Sequence, residues 1–161
     1  MLAMEKVIWI GHLVLVADKN MPKRIAKIFV ITDGASRGNP GPAAIGFGIY
    51  SEAWNPLEEK TEYVGNATNN EAEYKAIIEA LDCASGHCRE EVEHYTDSEL
   101  VVKQLNGEYR VRAKNLKPLI EQIFTKRQYF KSISHKHLPR SHQRIQRIDD
   151  LVNQELDLLG Y

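Results

Sequence analysis

The chain has 161 residues, 43% of them hydrophobic and 27% charged, with a formal net charge of −1. That composition fits one globular domain with a substantial core and excludes a disordered or low-complexity chain. The balance hides a segregation: residues 28–102 carry a charge of −10 and residues 103–147 a charge of +10. An acidic centre that faces cations, beside a basic flank that faces phosphates, accounts for such a pattern. Cys83 and Cys88 lie in "DCASGHCRE". Their spacing does not suit zinc, and they read as reduced thiols of a cytoplasmic protein.

In chain order, the apolar run "VIWIGHLVLVA" at 7–17 is broken by Gly11 and His12. It is too short to cross a membrane, so residues 1–26 read as an N-terminal extension carrying an extra strand or hairpin packed on the domain. Residues 27–161 read as the main domain. Ile28 to Ile31 form a buried-strand signal that runs into Asp33 and then the Gly/Pro turn chemistry of "TDGASRGNPGP". Taken alone, Asp33 could simply initiate that turn. "AAIGFGIYS" (43–51) and "TEYVG" (61–65), separated by a polar turn, complete an antiparallel meander.

The period then changes. Tyr74, Ile77, Ile78 and Leu81 mark an amphipathic helix. Thr68-x-x-Glu71 matches a capping box, which gives Glu71 a structural task; the alternative is that Asn70 caps and Glu73 is its partner. Glu73 leans toward the buried face of this helix. "EVEHYTD" (91–97) reads as a strand parallel to the first, followed by helices at 98–106 and about 115–130, a short strand in "YFKSISHK", and a last helix over about 145–159. The expectation is an α/β domain whose mixed sheet has five strands, three antiparallel and then two parallel, flanked by helices.

Asp33 and Asp97 each end a strand of the parallel part, where open α/β sheets bind ligands. Two carboxylates on neighbouring strands repel each other unless a cation lies between them. In "RIDDLVNQEL" helical phase sets Asp149 beside Ile145, Val152 and Leu156 and turns Asp150 toward water. Oxygen ligands of this kind suit Mg²⁺ or Mn²⁺ rather than zinc, and four of them suit two-metal phosphoryl transfer.

"TDGASRGNPGPAAIGFGI", "TNNEAEYKAIIEAL", "YTDSELVVKQLNGEY" and "DDLVNQ", in this order and spacing, resemble type 1 ribonuclease H over about residues 27–157. The resemblance implies the ribonuclease H-like fold and hydrolysis of the RNA strand of RNA/DNA hybrids, leaving 5′-phosphate and 3′-hydroxyl ends. It implies two Mg²⁺ or Mn²⁺ ions held by Asp33, Glu73, Asp97 and Asp149. It implies nucleic-acid contacts at Gly38, Asn39, Thr68, Asn69 and Asn70, with Glu99 at a substrate-side position of open role. The family's loop histidine falls among His135, His137 and His142, and His142 is the choice. "QLNGEYRVRAKNLKPL" passes directly into the next helix, as in compact members without a long basic protrusion. The expected protein is monomeric and has no membrane contact. Two alternatives are a ribonuclease H-like module that binds hybrid without cutting it, and an exonuclease of the wider superfamily. The latter typically has a second acid where this chain has Ala35.

Overall fold

The computed structural model describes residues 7–10, 13–16 and 24–161. Strands β1 (Val7–Ile10) and β2 (Leu13–Val16) pair antiparallel. How they sit on the domain, the remaining part of the N-terminal expectation, lies outside the described residues. The domain proper runs β3 (Ile25–Ser36), β4 (Gly41–Ser51), β5 (Pro56–Ala67), α1 (Asn69–His87), β6 (Cys88–Thr96), α2 (Glu99–Leu105), α3 (Lys117–Arg127), β7 (Ser132–His137) and α4 (Gln143–Leu158). Its sheet has the order β5-β4-β3-β6-β7, with β3, β4 and β5 antiparallel and β6 and β7 parallel to β3. This is the mixed five-stranded sheet the sequence leads one to expect.

Alternation along β3 divides the core between the two faces of the sheet. Ile28 and Val30 join Val92 and the apolar side chains of α1, α2 and α3. Ile31 points the other way, onto Ile145 and Ile148 of α4. Ile145, Ile148, Val152 and Leu156 recur at helical spacing and are fully buried. Each contributes about 1.5–3 kcal/mol of apolar burial. That stripe fixes which face of α4 meets the sheet.

Two elements differ from expectation. Strand β5 begins at Pro56 rather than near Thr61, so "PLEEK" is strand and the turn is confined to the residues just before it. As an edge strand with most of its residues exposed, β5 does not need apolar alternation, and its charges discourage edge-to-edge pairing. Strand β3 also does not stop at Asp33. Its antiparallel ladder with β4 continues to Ser36↔Ala43, whereas its parallel ladder with β6 ends at Ile31↔Tyr95. Asp33 therefore lies where β3 loses one neighbour and keeps the other, and a cleft opens there.

Candidate active site

The cleft follows from a close approach. A Cβ on Gly34 would lie 2.3–2.6 Å from backbone atoms of Ala72 and Glu73, so only glycine lets α1 come this near to β3. The approach sets Glu73 beside Asp33. Asp97, one residue past β6, completes the group. Each of the three offers a carboxylate oxygen, and these oxygens lie within 4.8 Å of one another. Asp33 is 5% exposed and Glu73 8%. Asp149 of α4 lines the same cleft, of about 420 Å³, together with Ser36, Arg37, Asn69, Arg140 and Asn153.

Gathering these acids is unfavourable. Burial pushes the Asp33 carboxyl up to about 7, with the charges of Asp97 and Asp149 adding to the effect. Burial, followed by the charges of Asp33 and Asp97, holds Glu73 well above the ordinary carboxylate range. Asp33 Oδ2 is buried without a hydrogen-bond partner among the described residues. Among the described residues, one cationic side chain reaches the group: Arg140, 78% exposed, has guanidinium nitrogens 3.9 Å from Asp97 Oδ2 and 3.6 Å from Asp149 Oδ1. An acid set with an orphaned buried oxygen and hard oxygen donors fits a divalent cation of the magnesium type.

The other nominated residues fall into three groups. Thr68 is the N-cap of α1: its hydroxyl accepts from Glu71 N at 3.1 Å, and Glu71 Oε2 accepts from Thr68 N at 2.7 Å. That reciprocal box rules out the alternative cap at Asn70 and frees Glu73 for the cleft. Asn39 and Asn69 brace the cleft wall. Asn39 Oδ1 accepts from Asn69 N at 3.0 Å, and Asn69 Oδ1 accepts from Ser36 N at 2.9 Å. Gly38 takes a φ of +106° in that loop, and Asn70 is exposed on the first turn of α1. Together they shape a polar rim beside the acids.

The third group does not line the cleft. His142 is the N-cap of α4, and its Nδ1 accepts from Arg144 N at 3.2 Å, so this nitrogen is engaged away from the carboxylates. His137 ends β7 and is exposed, whereas His135 is buried within that strand. Glu99 opens α2 and pairs with Lys103 at 3.1 Å. Sequence reasoning did not nominate Arg140 or Arg37. Arg37 lines the cleft and reaches Asp157 of α4 at 2.8 Å. The signal for Arg140 was its loop, which leaves the carboxyl end of a parallel strand, the edge where ligands bind.

Comparison with known proteins agrees with this geometry. The family described as reverse transcriptase-like matches residues 32–152. The ribonuclease HI of Halobacterium salinarum is 38% identical over 136 residues, covering 84% of this chain and 67% of that protein. A bifunctional protein of Mycobacterium tuberculosis is 36% identical over 81% of this chain, which spans 36% of that relative's length. Among solved structures, the ribonuclease H1 of Halobacterium salinarum superposes with a TM-score of 0.77 at 37% identity, covering 81% of this chain and 98% of that one. LC11 ribonuclease H1, isolated from compost by a metagenomic approach and solved in complex with an RNA/DNA hybrid, gives 0.77 at 38% identity over 83% of this chain and 99% of that one. On the match over residues 32–152 and these identities, the chain belongs to the reverse transcriptase-like family and, within it, to the ribonuclease H enzymes.

Proposed function

We propose that this protein is an endoribonuclease that hydrolyses the RNA strand of RNA/DNA hybrids, leaving 5′-phosphate and 3′-hydroxyl ends, with two Mg²⁺ or Mn²⁺ ions. The observation that carries the reading is the trio of buried Asp33, buried Glu73 and half-buried Asp97, whose mutual repulsion is relieved by bound cations. Asp149 supplies the fourth carboxylate of the same cleft. Such ions, when bound, supply activation of water and stabilisation of the leaving oxygen in an in-line displacement.

The chain's own residues do the rest. Gly34 lets α1 bring Glu73 to Asp33. The braces from Asn39 to Asn69 and from Asn69 to Ser36 hold the loop after β3 against the start of α1, so the rim contacts a nucleic-acid strand in one fixed shape. Asn70, Gly38 and Thr68 extend that rim, where polar groups distinguish an RNA strand by its 2′-hydroxyls. Glu99, apart from the cleft, is assigned a substrate-side position at the edge of the same surface. His142, the N-cap of α4, is assigned to proton transfer or product release through the ring nitrogen that does not cap the helix.

No helix among the described residues is long and apolar enough to cross a membrane. Free Cys83 and Cys88 support a cytoplasmic, reducing setting, and we assign a monomer. The test is cleavage of a labelled RNA/DNA hybrid by the wild type and by Asp97→Asn, with and without Mg²⁺. Wild type should cut only the RNA strand and only with metal, while Asp97→Asn should bind hybrid, stay folded and not cut. A folded Asp97→Asn that retains substantial turnover overturns the metal assignment. Tight hybrid binding without cleavage by wild type would favour the non-catalytic binding module.

A further inference from the structure

Beneath the carboxylates lies a buried polar chain that the proposed chemistry does not use. Thr32, His94 and His135 stand on neighbouring strands β3, β6 and β7, on the sheet face that Val30 and Val92 share with α1, α2 and α3. Thr32 and His94 are 0% exposed and His135 4%. His94 Nε2 lies 2.7 Å from Thr32 Oγ1, and His94 Nδ1 lies 2.8 Å from His135 Nδ1.

We infer that His94 and His135 are positioning residues: they share a single Nδ1 proton and, through Thr32, lock the three strands at the depth from which Asp33 and Asp97 project. The inference rests on the reading of Asp33, Glu73 and Asp97 as metal ligands.

Two facing ring nitrogens at this distance hold one proton. With none, the lone pairs repel, and with two, the N–H groups collide. One assignment leaves the lesser debt. If His135 Nδ1–H donates to His94 Nδ1, then His94 Nε2–H donates to Thr32 Oγ1, and His135 Nε2 is left as a bare acceptor. That nitrogen is indeed buried without a partner among the described residues. The reverse assignment would bury an orphaned N–H, the rarer and costlier case. Burial, His94 and the charge of Arg127 all act against a second proton on His135 and so keep that ring neutral. Asn106 Nδ2 donates to the His135 carbonyl at 3.2 Å and fixes the backbone of β7.

The layer also touches the cleft. Thr96 follows His94 by two residues on the same face and is fully buried. Its hydroxyl lies 3.4 Å from Glu73 Oε2 as donor and accepts from Ser98 N at 3.2 Å. Thr32 immediately precedes Asp33, so the chain is one residue removed from that carboxylate. Apolar side chains would fill this space without desolvating four polar groups, so packing alone does not call for the chain. What it adds over apolar packing is direction: hydrogen bonds fix strand register and depth where contact alone does not.

The test is Mn²⁺ titration calorimetry on the full chain, with near-UV circular dichroism as the check on folding. Wild type should bind Mn²⁺; if it does not, the proposed function itself falls. Loss of a group bonded directly to a ligand typically costs 10–100-fold in metal affinity; His135 acts one step further back, so His135→Leu, which leaves His94 Nδ1 unpaired, should weaken binding by up to about tenfold. His135→Asn sets an amide near the position of Nδ1 and should restore binding close to wild type. A merely structural role predicts no such rescue pattern in metal affinity. Wild-type binding with undiminished affinity in His135→Leu, or equal loss in His135→Asn, overturns the inference while leaving the proposed function intact. Should His135→Leu not fold, Thr32→Val removes one hydroxyl with little change of shape and is read by the same criterion. In wild type, ¹⁵N NMR of the imidazoles should show one Nδ1-bound proton between the two neutral rings. Two Nε2–H rings, or a charged ring at neutral pH, overturn it.

Discussion

Asp149 and Asp150 are neighbours with opposite fates. About 100° of helical phase separates them. Asp149 follows the buried Ile148 and lines the cleft, whereas Asp150 is exposed. Asp149→Asn should lose most Mg²⁺-supported cleavage, because a ligand charge is removed. Asp150→Asn should stay within about a few-fold of wild type, as is usual for a solvated surface side chain. Hybrid cleavage by both variants, at matched folding, checks this, and the reversed order would contradict the phase of α4. Arg140 teaches a different lesson at this scale. Its loop follows the carboxyl end of a parallel strand, but which arginine near that edge reaches the acids is decided by the course of the loop, which brings Arg140 over Asp97 and Asp149.

At the scale of elements, the site depends on how closely α1 lies on β3. Gly34→Ala would force a Cβ into the backbone of Ala72 and Glu73, where nothing flexible can yield. Overpacking of a tight contact typically costs about 1–3 kcal/mol, and here the strain is taken up by moving the helix that carries Glu73. The variant should therefore show a lower urea midpoint together with weaker Mn²⁺ binding. A variant that is destabilised but binds metal normally would mean that α1 accommodates the methyl without displacing Glu73. The capping box belongs to this scale too. With Glu71 bound to the Thr68 amide, the first turn of α1 starts in one register, which decides that Glu73 and not Glu71 faces the cleft. Sequence alone left this open between two caps, because both fit the spacing.

The whole molecule separates charge as the sequence does. The basic stretch 103–147 includes exposed Arg110, Arg112, Lys114 and Lys117 in the segment between α2 and α3 and the start of α3. Behind the Thr68 amide, the Asn115 side chain of that segment helps hold the Glu71 carboxyl below the ordinary carboxylate range, which sets the segment near the N-terminal turn of α1. Hybrid binding by an inactive variant should therefore weaken with salt, with a slope of log K against log salt of roughly −3 to −5 for about four to six phosphate contacts. A flat dependence would reduce the basic stretch to solvated surface.

Global stability carries a second signature. Burial lowers His94 to about 3, and burial, His94 and Arg127 lower His135 to about 2, against 6.5 in the unfolded chain. The unfolded state then takes up protons that the folded state refuses. The contribution of the pair is intact above about pH 6.5 and is lost as pH falls, on the order of 1 kcal/mol per pH unit for each ring. Asp33 acts in the opposite sense in the metal-free protein: with its carboxyl raised to about 7, its contribution is present at low pH and lost as pH rises through that value. Denaturant titrations of wild type and of a His94→Leu/His135→Leu variant, at pH 7.5 and 5.5, isolate the pair. The wild type should lose more stability on acidification than the variant, and parallel behaviour would mean that the rings are not buried neutral.

Local pattern was enough to determine the mixed sheet and the four helices, and to nominate the carboxylates Asp33, Glu73, Asp97 and Asp149, which the fold brings to one cleft. Each of these is written in a period, a cap or a strand end, which act over a few residues. Local pattern missed the charged part of β5, because an edge strand has no buried face to enforce alternation. It missed the extension of β3 past Asp33, because that depends on β4 continuing where β6 departs. Among the histidines it weighed the loop and strand-end candidates of the final segment. It did not foresee that His142 would cap α4, or that His135 would meet His94 41 residues earlier in the chain. Those outcomes are pairings between distant segments, and only the assembled sheet brings their partners within hydrogen-bond reach.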